Sequence, residues 1–172
     1  MKKVFFYMAL FAAMAMVNIS CSDDDNTDSE DNRLKFANLL TQDSTSGVWE
    51  GYDIKEWKEL GSWVDGGRHY VVRRFDRASA TATRGIGRVL MFENDFLDNF
   101  IDASDFTWYF EDDQLQLTYR HSGWAPQHAE YRTEELVIRR DNFTGFLFEK
   151  TDYRYKFNYK KSTFKDWDKY KD

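Results

Sequence analysis

The stretch Gln114–Arg120 spells QLQLTYR. Leu115, Leu117 and Tyr119 fall on one side of it, with Gln114, Gln116, Thr118 and Arg120 on the other. A period of two, apolar against polar, is the pattern of a half-buried β-strand, whose successive side chains point to opposite faces. YRYKFNYK, from Tyr153 to Lys160, repeats it with Tyr153, Tyr155, Phe157 and Tyr159 against Arg154, Lys156, Asn158 and Lys160. DFTWYFED places Phe106, Trp108 and Phe110 on one face, FTGFLFEK offers Phe146 and Phe148, and EELVIRRD offers Leu136 and Ile138.

Working outward, RHYVVRRFDR, TRGIGRVLMFEN and a first strand near GVWEGYDI bring the count to about eight. EDDQ, RDNF and KTDY supply the Asp and Asn residues that favour tight turns. Such short links join antiparallel neighbours, whereas parallel pairs need a longer crossover. A long meander must manage its edge strands, and closure removes them. The expected fold is therefore all-β, an antiparallel up-and-down barrel of about eight strands with short flanking helices. A β-sandwich is the alternative.

The helical segments are NRLKFANLL, with Leu34, Phe36, Leu39 and Leu40 on one side, and the C-terminal stretch where Phe164, Trp167 and Tyr170 recur every third residue. Neither is long enough to stand without docking on the sheet. KEWKELGSWVDGG is expected to be a strand running out into a long loop. Gly85-Ile86-Gly87 lacks the third glycine and following helix of a nucleotide cradle, and marks a bend in a strand.

The N-terminus has a different character. Lys2 and Lys3 precede an apolar run from Val4 to Val17, and Ser20 precedes Cys21, the only cysteine. A basic flank, a short hydrophobic segment and a small-residue exit make a secretory signal peptide over residues 1–20. The run is short of the roughly 20 residues that a spanning helix needs. The arrangement resembles the signal of bacterial lipoproteins, with Asn18 where that box usually has Leu. The resemblance implies that Cys21 is acylated and tethers the chain to a membrane. SDDDNTDSED, residues 22–31, holds six acids and no base or large apolar residue, the composition of a solvated tether. It also resembles the surface-export signal of Bacteroidetes lipoproteins, which implies an outer-membrane, cell-surface location. Without the signal the chain has 22 basic and 30 acidic residues; without the tether it has 22 and 24. That near balance argues against a nucleic-acid partner, which would call for a basic patch.

Residues 32–172 suit one domain with a real core. Its order of elements resembles a lipocalin-like barrel of the small Bacteroidetes lipoprotein kind. A short helix precedes Gly47-Val48-Trp49, matching the lipocalin G-x-W, and the resemblance implies that Trp49 closes one end of the barrel. Thr151-Asp152-Tyr153 spells the lipocalin T-D-Y, one link later than the family has it. The family implies a barrel with room for a small apolar ligand, although many small bacterial relatives have no known ligand.

Phe, Tyr and Trp make up 18% of the chain, enough to fill a small barrel or to line a pocket. The candidate lining or core residues are Trp49, Phe106, Trp108 and Phe110 from the first half of the strands. Leu117, Tyr119, Tyr155 and Phe157 come from the second. His69, His121 and His128 form no recognisable metal set, the latter two flanking a loop, and no cofactor is expected. Acidic pairs such as Asp112-Asp113 and Glu134-Glu135 sit where solvated charge is usual. The expected function is that of a lipid-anchored binding or interaction module, not an enzyme, taking a small apolar or aromatic ligand. The alternatives are a partner-binding accessory with a filled interior, its partner protein unknown, and then an envelope hydrolase.

Overall fold

The computed structural model describes residues 25–93, 97–120, 128–150 and 152–170. Residues 1–20, expected to be a signal peptide, lie outside the described residues, as do Cys21 and His121. Among the described residues one α-helix, α1 (Asp25–Leu40), precedes eight strands: β1 (Ser46–Glu59), β2 (Ser62–Arg77), β3 (Arg84–Phe92), β4 (Phe100–Glu111), β5 (Gln114–Arg120), β6 (His128–Ile138), β7 (Asn142–Lys150) and β8 (Tyr153–Lys161). Each strand pairs antiparallel with the next, and β8 returns to pair with β1. The sheet is a closed up-and-down barrel, as the alternation and short turns predict.

Glycines facing aromatic rings across neighbouring strands allow so many rings inside so narrow a barrel. Gly85 lies opposite Trp108 and Gly87 opposite Phe106, while Gly51 faces Tyr159 and Gly145 faces Phe157. A Cβ on Gly87 would stand 2.3 Å from the Phe106 ring. The G-x-G of β3 is thus a pair of seats for two interior rings rather than simply a bend.

Four segments differ from the sequence-based expectation. KEWKELGSWVDGG is a β-hairpin, not a strand and loop: Glu59 pairs with Ser62 across the two-residue turn Leu60-Gly61, both at positive φ. Continued pairing of Lys55–Trp57 with β8 holds β1 extended there. β6 begins at His128, six residues ahead of EELVIRRD, and carries a bulge between Glu134 and Val137 with Glu135 at φ 50°. His128 therefore heads a strand. The helix α1 starts at Asp25 and takes in acidic residues assigned to the tether; Glu30 and Asp31 remain solvent-exposed. An acid-rich sequence at a helix N-terminus suits the helix dipole.

The fourth is the C-terminal segment, which makes a single 3-10 turn at Trp167–Tyr170. A 3-10 helix has three residues per turn, so the spacing of Phe164, Trp167 and Tyr170 aligns them on one face. They cover an apolar strip on the barrel's outside formed by Tyr70, Val72, Leu90, Phe92 and Ala103. Arg74 lies over the Trp167 ring at 4.8 Å, and Arg88 donates to the Tyr170 carbonyl at 3.1 Å.

Candidate functional site

The barrel interior divides into a filled half and a polar half. At the closed end, α1 lies across the opening with Ala37 and Leu40 fully buried and Phe36 stacked on Phe110 at 5.6 Å. Trp49 enters beneath it, its indole Nε1 donating to the Leu40 carbonyl at 2.7 Å and its ring edge-on to Phe143. Phe75 touches Phe106, Trp108 and Phe143 at once. The Trp108 indole donates to the carbonyls of Ile86 and Asp76. Six of the eight sequence candidates, Trp49, Phe106, Trp108, Phe110, Leu117 and Phe157, are buried here and packed on one another.

The other two, Tyr119 and Tyr155, face the opposite end and are only half-buried. Tyr131 lies between them, with ring centroids 5.2 Å from Tyr119 and 6.2 Å from Tyr155. Below this arc sits a charge network that sequence reasoning missed. Arg73 Nη2 donates to Asp53 Oδ2 at 3.0 Å, and the Tyr159 hydroxyl donates to Asp53 Oδ1. Arg73 and Asp53 are 3% and 5% exposed, far less than such groups tolerate without partners. The Arg73 guanidinium also lies over the Tyr159 ring at 5.4 Å. Arg73 Nε and His69 Nδ1 are buried and make no hydrogen bond among the described residues.

The electrostatics follow from burial. Burial lifts Tyr119 to about 12, against the opposing pull of Arg73, and lifts Tyr155 to about 12 with help from Glu149. Burial also raises Tyr131, next to the phenol of Tyr155 and the Glu149 carboxylate, and holds Tyr159 well above the ordinary phenol range. Burial opposes the charge on Arg73, but Tyr119, Tyr159 and Asp53 outweigh it and raise its pKa. At neutral pH the mouth therefore holds neutral phenols above an internally compensated ion pair, with Tyr131 donating its own hydroxyl to Glu149.

A signal for the missed residues was present. Trp49, Gly51 and Asp53 share the inward parity of β1, and Val71, Arg73 and Phe75 share that of β2, so both charges occupy core positions. Among the described residues no group of His, Cys, Asp and Glu is arranged to hold a metal ion.

Fold and interior together define a small closed barrel with an aromatic plug at one end and a tyrosine-lined, charge-floored mouth at the other. No family model matches the chain, and no curated protein matches it.

Proposed function

We propose that this protein is a lipid-anchored, surface-displayed barrel that binds a small neutral aromatic ligand in its mouth. The observation that carries the reading is the arc of three half-buried tyrosines over a buried ion pair. A barrel that merely fills itself gains most from apolar side chains, as the closed half does. Phenols left half open supply flat faces for stacking and polar tips for hydrogen bonds, the usual makeup of a small-molecule site. Arg73 and Asp53 compensate each other, and Glu149 beside Tyr131 disfavours an anion, so the matching ligand is uncharged. The signal, Cys21 and the acidic run supply the address.

Two measurements test the two parts. Labelled fatty acid enters the wild type and not Cys21→Ala, and equal labelling of both rejects the anchor. For the mouth, a panel of small neutral aromatic compounds is screened for thermal stabilisation. A ligand present at 100 times its Kd adds about 2.7 kcal/mol. That gain disappears in Tyr131→Ala; a gain that survives the substitution places binding elsewhere. The second reading, a partner-binding accessory, is favoured by the filled closed half and predicts no stabilisation by any such compound.

A further inference from the structure

A second concave surface lies outside the barrel, at the closed end. It is an open groove of about 1000 Å³ bounded by Arg33 of α1, by Ala78 and Thr83 between β2 and β3, and by Gly85, Ile86 and Tyr109 of β3 and β4. Three arginines line it, Arg33, Arg77 and Arg84, against a single acid, Asp76. That acid already accepts a 2.7 Å bond from Arg74.

The three arginines are not equivalent. Arg77 is 6% exposed and spends its donors on Ser44 O, Ala82 O and Asn38 Oδ1, so it braces the groove wall. Arg33 and Arg84 form no ion pair or side-chain hydrogen bond with any described residue. The Arg33 Nε is moreover buried without a partner. A buried unsatisfied donor is uncommon in a folded protein and calls for an explanation. The apolar side of the groove is as unusual: Ile86 is 63% exposed and Tyr109 42% exposed, adjacent to it.

We propose that this groove binds a small amphipathic anion, a carboxylate or sulfonate whose oxygens pair with Arg33 and Arg84 and whose apolar body covers Ile86 and Tyr109. Guanidinium forks bind planar oxyanions through paired N–H donors, and Arg33 and Arg84, both lining the groove, bring two such forks to it. The volume is that of an ordinary small-molecule site. This site is independent of the mouth, which takes uncharged ligands at the other end of the barrel.

The test is calorimetric titration of the purified full chain with naphthoate and octanoate, and with their neutral alcohols, naphthalenemethanol and octanol. The anions bind and the alcohols bind at least about tenfold more weakly, the scale of one lost charge-assisted hydrogen bond. Arg33→Gln combined with Arg84→Gln removes anion binding while leaving the urea midpoint unchanged. Arg84→Lys keeps part of the affinity, and Ile86→Ser weakens naphthoate. Tyr131→Ala, in the mouth, leaves the anion affinity intact. Naphthoate favoured over octanoate points to aromatic acids and the reverse to acyl chains, both within the proposal. Equal affinity for anion and alcohol, undiminished binding in the double variant, loss in Tyr131→Ala, or no binding of either anion overturns it.

Discussion

The indole of Trp49 donates a 2.7 Å hydrogen bond to the carbonyl of Leu40, the last residue of α1. That bond satisfies one of the four carbonyls left open at a helix C-terminus. Gly47, two residues earlier, lets the helix end come close, since a Cβ there would stand 2.2 Å from the same carbonyl oxygen. Glycine and tryptophan of the G-x-W thus both serve one contact, the seating of the helical cap on the barrel. Trp49→Ala should cost about 3–5 kcal/mol, and Trp108→Ala a similar amount, because both rings are buried in the filled half. Trp49→Phe keeps much of the volume but strands the Leu40 carbonyl, at a cost of about 1–3 kcal/mol. Urea midpoints of the three variants check this ordering, and a near-neutral Trp108→Ala would mean a cavity beside that ring.

The Arg73–Asp53 pair has a different signature. Removing one partner leaves the other charged, buried and unpaired, so Asp53→Ala should destabilise by about 3–5 kcal/mol. Asp53→Leu combined with Arg73→Met removes both charges and should cost less than the single change. A double-mutant cycle in urea gives the coupling. Strictly additive losses would mean that the two side chains do not form the pair.

Alkaline titration reads the mouth directly. The folded protein holds the phenolic protons of Tyr119, Tyr131, Tyr155 and Tyr159 more tightly than an unfolded chain does. Below the ordinary phenol pKa of 10.0 both states are protonated and the contribution to stability is complete. Above it the unfolded chain ionises first, so stability falls as pH rises from 10 through about 12, where Tyr119 and Tyr155 ionise. Tyrosinate absorbance should show an ordinary group and a late group that titrates as the protein unfolds. One ordinary transition for every tyrosine would contradict the raised phenols of the mouth and its floor.

The alternating strands were legible because each has one wet and one dry face, as in Leu115, Leu117 and Tyr119 of β5. β6 was harder, since its bulge at Glu135 shifts the inward set from Thr133 to Leu136 and Ile138 and breaks the period. The β1–β2 turn was hidden for another reason. Leu60 adopts φ 48°, where Asn or Gly is the usual signal, and the hairpin is held instead by pairing of β1 with β8. At the site, the tyrosines of β5 and β8 were visible as inward rings. The network joining them was not, because Tyr159 meets Asp53 from 106 residues away and only barrel closure brings them together.

The mouth as a ligand site is tested most directly by native mass spectrometry of the protein, extracted in mild detergent from cells that make it. The expected result is a non-covalent small molecule on a large share of the wild type, beyond the mass of the polypeptide and whatever is covalently attached to it, and its loss from Tyr131→Ala. A wild type that carries no non-covalent small molecule, and that takes up no neutral aromatic compound added in excess, would contradict a ligand site in the mouth.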